Sequence, residues 1–250
     1  MKAPDAPVAT ERLWLTEPRR STALAKVVAV RGHAFALDRS LFAPASVFHR
    51  HPQPADKGTI WLAGEKRKLE RVFQRDGVLW HQLRGTVPDL GEQAQCQLDA
   101  DRRLEASRAH TAMHLLMAAL HRANAPPMVR NPEVRGGGHF RLDLAGPVAP
   151  KDLAACLAQA RQWGKDDRPV AREHVARGGH EAKVLDVQRF QPPDPYPGPP
   201  TVMDVAVITG VCSYPCDGTL VERTGKVGEV VLPQANATRS GFSIVGRVRD

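Results

Sequence analysis

The stretch "DRRLEASRAHTAMHLLMAALHRAN", residues 101–124, changes the period of the chain. Leu104, Ala109, Met113, Leu116 and Leu120 recur at helical spacing. Asp99 or Asp101 stands where a cap belongs, and Pro126-Pro127 closes the run. The spacing therefore predicts one long helix. Inside it His110 and His114 sit four residues apart, with His121 two turns on from His114, on a stripe next to the apolar one. A residue and its i+4 neighbour are about 6 Å apart and point the same way.

On the N-terminal side, from about Glu11 to Leu98, short runs of β character alternate with turns. "KVVAV" and "AFALD" flank Arg31-Gly32-His33, and "KLERVFQ" and "VLWHQL" flank Asp76-Gly77. Asp-Gly accepts the two positive φ angles of a type I′ turn, so the second pair reads as a hairpin. "LFAPASVFHRHPQPADKGTI", with Pro44, Pro52 and Pro54, reads as a long loop. Short strands without a helical stretch point to a small barrel.

On the C-terminal side a second helix is expected from about Lys151 to Trp163, with Leu153, Leu157, Ala160 and Trp163 on one stripe and Gly164 as its stop. Strands are expected at 139–144, 182–187, 202–208, 228–232 and 242–248, and "QPPDPYPGPP", 191–200, reads as a surface loop. The fold class is α+β. An N-terminal small β-barrel over residues 1–98 precedes an antiparallel sheet flanked by helices over 99–250.

Composition narrows the function. The chain has 250 residues, 42% hydrophobic and 25% charged, which places it among globular proteins rather than disordered ones. Its formal net charge of +8 favours a polyanionic partner such as nucleic acid, although a solvated basic surface reads the same way. No apolar run approaches the roughly 20 residues that span a bilayer, and the N-terminus lacks a signal-type segment. The four cysteines are too few for a disulfide framework, so a cytoplasmic location with free or metal-bound thiols is expected.

An H-x-x-x-H pair suits two nitrogens sharing a metal, and equally suits two surface histidines of an amphipathic helix. It lacks the glutamate of H-E-x-x-H, which excludes a zincin-type general base. "VCSYPCDGTLVERTGKVGEVV", from Val211, places Cys212 and Cys216 beside Gly218 and Thr219 in a turn. A thiolate there is a third candidate ligand; the plain alternative is a small buried hydrophobe. Along one regular strand Cys212 and Cys216 stand about 13 Å apart, too far to share an ion.

Together these segments resemble a known family. "SRAHTAMHLL" resembles the R-x-H-T-A-x-H-L-L segment of the alanyl-tRNA synthetase editing domain and of its free-standing relatives, the AlaX alanyl-tRNA editing proteins, within the threonyl/alanyl-tRNA synthetase second additional domain superfamily. "PCDGTLVERTGKVGEVVL" is similar to their C-G-G-T-H-V-x-x-T-G-x-I-G segment. "ERLWLTEP" and "LDRSLFAPASVFHRHPQPADKGTI" resemble the opening and a loop of the long free-standing forms, so the likeness runs from about residue 10 to the C-terminus.

The resemblance implies a β-barrel followed by an editing domain, and a zinc-dependent hydrolase that acts in trans on Ser- or Gly-tRNA(Ala). It implies His110, His114 and Cys216 as zinc ligands, with tRNA as partner. The family's fourth ligand, a histidine, falls on Leu220, and its G-G-G-Q segment appears as Arg50-His51-Pro52-Gln53. Three arrangements follow: three ligands with water in the fourth position, Cys212 standing in as a ligand, or a weakened site. Gln53 and His139 are candidate catalytic side chains, and Arg102, Arg103, Arg108 and Arg239 are candidates to meet tRNA phosphates. Motifs of an ATP-dependent aminoacylation domain are absent, so editing rather than synthesis is expected. The competing readings are a non-catalytic tRNA-binding relative and a hydrolase of some other aminoacyl ester.

Overall fold

A computed structural model describes residues 10–45, 52–123, 128–146, 148–176, 202–216, 218–239 and 241–249. The chain divides into two compact units, Met1–Ser46 with Pro54–Arg103, and Val47–Gln53 with Leu104–Asp250.

In the first unit, strand β1 (Glu11–Arg12) leads into the short helix α1 (Leu13–Thr16). Then come β2 (Thr22–Arg31), β3 (Ala34–Leu37), β4 (Arg39–Ser40), β5 (Gly58–Leu62), β6 (Glu65–Arg75), β7 (Val78–Leu83) and β8 (Gln93–Leu98). β1 pairs with β4 in parallel, and six strands close a barrel in the order β2-β3-β7-β6-β5-β8. The period of two is plain in β8, whose Ala94, Cys96 and Leu98 are buried while Gln93, Gln95 and Gln97 are exposed. Phe35, Leu37, Ile60, Leu62, Leu69 and Val72 fill the interior with them. Asp76 and Gly77 take φ of 53° and 77°, the twist that a two-residue hairpin between right-handed strands requires. The end of the expected loop at 41–60 is β5, which inserts between β6 and β8.

Helix α2 (Ala100–His121) is capped by Asp99, whose Oδ1 accepts from Arg102 N at 3.2 Å. Two sequence expectations fail on this helix. Leu104, placed on the core stripe, is 40% exposed. Arg103, offered to tRNA phosphates, is buried against Asp56: its Nε donates to Asp56 Oδ1 at 2.9 Å and its Nη2 to Leu41 O at 2.7 Å. From Ala109 to His121 every residue is buried, so there is no exposed face. A helix wrapped on all sides has no reason to keep a single apolar stripe.

In the second unit β9 (Met128–Arg135), β10 (His139–Ala145), α3 (Pro150–Lys165), β11 (Val170–Ala176), β12 (Val202–Ile208), β13 (Cys212–Pro215), β14 (Glu229–Thr238) and β15 (Gly241–Arg249) follow. They form two antiparallel sheets, β14-β15-β10-β9 and β11-β12-β13. One core joins α2 residues such as Met113, Leu116 and Leu120 to Phe140, Leu142, Ile208 and Ile244. α3 begins on Pro150 and buries Leu153, Cys156, Ala160 and Trp163. It runs one residue past Gly164, with Asp166 as cap. The protein is thus mixed α+β, with three α-helices among the described residues. None of its described helices is long and apolar enough to cross a membrane. The expected strand at 182–187, the loop at 191–200 and Pro126-Pro127 lie outside the described residues.

Candidate metal centre

Helical spacing puts His110 and His114 one turn apart on α2, their ring centroids 5.0 Å apart and their planes nearly perpendicular at 86°. Both are completely buried, which removes the reading of two surface histidines. Cys216 follows directly on β13 and is also buried. One ligand atom from each of the three lies within 4.8 Å of the others, and Cys216 Sγ is 3.4 Å from His110 Nε2. A tetrahedral zinc with bonds of about 2.0–2.3 Å needs ligand atoms roughly 3.5 Å apart, the separation at which Cys216 and His110 already stand. Two imidazoles and a thiol are the donors such an ion selects. Among the described residues no fourth His, Cys, Asp or Glu joins them, and Leu220, partly buried, offers no donor.

The surroundings decide which nitrogen of His110 faces the ion. Gln53 Oε1 accepts from Thr219 N at 2.9 Å and from Thr219 Oγ1 at 3.3 Å. A backbone N–H can only donate, so the atom facing it is the amide oxygen. That same oxygen lies 3.2 Å from His110 Nδ1. An acceptor there requires Nδ1–H, which leaves the Nε2 lone pair directed at Cys216. Gln53, a candidate catalytic residue in the sequence, therefore sits behind a candidate ligand.

The loop carrying Cys216 is held at several points. Cys216 N donates to Asp204 O at 2.9 Å. From β11, Arg172 donates through Nη1 to Cys216 O and through Nη2 to Gly218 O. Val221 N donates to Thr111 Oγ1 at 3.2 Å, tying the loop's exit to α2. Gly218 is needed for the approach: a Cβ there would stand 2.1 Å from His110 Cε1 and 2.9 Å from Gln53 Oε1. Tyr214 packs edge-on to His114 at 5.3 Å, and its hydroxyl is 3.0 Å from His121 Nδ1.

Cys212 does not join the cluster. It is buried on β13, opposite Ile208, and burial pushes its thiol far above the ordinary range against the pull of the Arg122 cation. It packs within the core that holds Tyr214 and Val211. His139 opens β10 with Nδ1 3.2 Å from Gly136 O and is not one of the three convergent residues. Arg108 donates through Nε to Lys226 O at 2.9 Å, and Arg239 is exposed. Sequence reading did not find Arg172, whose role depends on strand pairing, and it had no signal for Tyr214.

Fold and site thus define an α+β protein with a buried His–His–Cys cluster able to hold a metal ion. Alanine–tRNA ligases are similar to it along nearly its whole length. The protein of Archaeoglobus fulgidus is 32% identical over 236 residues, 93% of this chain and 25% of that protein. That of Methanopyrus kandleri is 26% identical over 250 residues, 96% of this chain and 26% of that protein. That of Korarchaeum cryptofilum is 26% identical over 236 residues. The chain spans about a quarter of the length of these curated relatives. No protein-family model matches it.

Proposed function

We propose that this chain is a metal-dependent aminoacyl-tRNA hydrolase that removes an amino acid wrongly esterified to tRNA, with Ser-tRNA(Ala) and Gly-tRNA(Ala) as first substrates. The observation that carries the reading is the convergence of His110, His114 and Cys216, with His110 Nε2 turned inward by Gln53. The similarity to alanine–tRNA ligases along 93–96% of the chain supports tRNA as partner.

Zinc bound at this cluster supplies a Lewis acid that polarises an ester carbonyl or brings the pKa of water to about 7. The chain's own residues do the rest. Gln53 fixes the His110 tautomer, and Arg172 and Asp204 hold Cys216 from both sides of its backbone. Burial of all three ligands keeps bulk water away from the donors. Leu220, standing where the related segment has a histidine, leaves a coordination position for water or substrate, the arrangement of catalytic rather than structural zinc sites. Gln53 is assigned to positioning. His139, whose Nδ1 lies 3.2 Å from Gly136 O, is the proposed candidate for proton transfer.

The test pairs elemental analysis of the purified protein with deacylation of Ser-, Gly- and Ala-tRNA(Ala). Expected are about one zinc per chain, hydrolysis of the Ser or Gly ester in preference to Ala, and loss of both zinc and activity in His114→Ala. Hydrolysis that survives His114→Ala overturns the metal-dependent reading. A metal-free, inert protein that still binds tRNA favours a non-catalytic relative. Activity on aminoacyl esters without tRNA favours a small-molecule hydrolase.

A further inference from the structure

The barrel carries a surface that the metal centre does not use. Strand register places two complete rungs on the outer face of β2-β8-β5-β6. One is Thr22–Gln97–Thr59–Lys68 and the other Leu24–Gln95–Trp61–Lys66. Lys26, paired with Gln93, begins a third. Side chains on one face of neighbouring strands stand about 5 Å apart, so each rung is a continuous strip. The chain has four tryptophans; Trp14, Trp80 and Trp163 are buried, and Trp61 lies partly exposed in this strip. Lys66 Nζ stands 5.4 Å from the Trp61 ring centre. Leu24, in the same rung, is 67% exposed. Beside the rungs lies a groove of about 510 Å³ lined by Lys57, Thr59, Lys66, Lys68, Gln97 and Asp99.

The chemistry selects the occupant. Neither rung holds a carboxylate; Glu65, next along β6, is taken by Arg67 at 2.7 Å, and Asp99 caps α2. Lysine is depleted at protein–protein interfaces, and these rungs carry Lys66 and Lys68 on β6. A partly exposed indole among lysines and glutamines instead matches the surfaces that stack an unpaired base while cations follow the phosphates. We propose that this barrel face docks a single-stranded RNA segment, with Trp61 as stacking platform and Lys66 and Lys68 on the backbone; the choice of RNA rests on the function proposed above. The face and its residues are a site separate from the hydrolytic one.

The test uses the full chain, stripped of metal with a chelator, and an unacylated fluorescein-labelled single-stranded RNA of eight nucleotides, followed by anisotropy and tryptophan quenching. Binding is expected to quench the wild type, and Trp61→Ala should weaken it about tenfold, the loss of one stacked base. Lys66→Gln and Lys68→Gln should each reduce the salt dependence of log K by about 0.7. Trp61→Phe should retain binding and lose the quench. Thermal unfolding of each variant separates lost binding from lost fold. Affinities within twofold of wild type in Trp61→Ala and in the double lysine variant overturn the proposal, as does equal occupation of the face by polyglutamate. Because neither metal nor an ester enters the assay, failure of the hydrolase reading leaves this result readable by itself.

Discussion

Gln53 and His110 face each other across 3.2 Å, and the Gln53 oxygen is oriented by the backbone N–H of Thr219 rather than by the histidine. The tautomer of a candidate ligand is therefore set by a loop more than 100 residues further along the chain. Support of this kind is typically worth 10–100-fold in metal affinity. Gln53→Met, similar in size and without the acceptor, should weaken zinc binding by that factor while leaving the fold intact. Competition with a chromophoric chelator measures it; unchanged affinity would mean the amide merely packs.

Gly218 tests how closely the loop must approach. Its missing side chain is what lets backbone lie against the His110 ring, since a Cβ would meet Cε1 at 2.1 Å. Gly218→Ala should displace either the ring or the loop. Zinc stoichiometry is expected to fall well below one, with the barrel's unfolding transition unaffected. Full zinc occupancy in this variant would refute the packing described for the loop.

Leu220 tests the open position. With three ligands sufficient, Leu220→His should tighten zinc and slow deacylation, because it closes the place for water. If the wild type holds no zinc, the same change should create binding. Faster turnover together with tighter zinc is the outcome that contradicts a water-binding fourth position.

His81 gives the barrel a pH dependence. It is fully buried, with Nε2 2.8 Å from Ser40 Oγ, and burial lowers its pKa from 6.5 to about 4, only partly offset by a backbone hydrogen bond to Phe35. The unfolded chain takes up a proton below about 6.5 and the folded one only near 4, so stability is lost as pH falls through that window. Between pH 7 and pH 5 the loss from this group is about 2 kcal/mol. Urea unfolding of wild type and His81→Gln at both pH values isolates it: the variant should show a shallower decline. Identical slopes would place the pH sensitivity in other histidines.

Asp56 and Arg103 form an ion pair buried at both ends, with Ala43 N also donating to Asp56 Oδ2. Asp56→Ala leaves the guanidinium buried and uncompensated, at a cost of about 3–5 kcal/mol. Asp56→Ala with Arg103→Met should recover much of that loss. A single variant as stable as wild type in denaturant titration would show that the pair is dispensable.

Much of the architecture is legible one segment at a time. The alternation in β2 and β8, the Asp76-Gly77 hairpin and the long period around His110 are local signals, because strand faces and helix turns repeat over a few residues. The sequence misplaces what local pattern cannot carry. Leu104 fits the helical stripe and is exposed, while Arg103 looks like a surface cation and is buried. Each outcome depends on what packs against that turn of α2.

Sequence by itself determined the α+β class and the helical spacing that brings His110 and His114 onto one side, and it singled out Cys216 as a ligand only through the family resemblance. Spacing within a helix is fixed by 3.6 residues per turn, whatever the rest of the chain does. Only the tertiary structure decided that the two histidines are buried, that Cys216 and not Cys212 meets them, and that Gln53 and Arg172 hold the arrangement. Those residues are separated by tens of residues in the chain. Their meeting depends on strand order and side-chain direction, which a one-dimensional period does not encode.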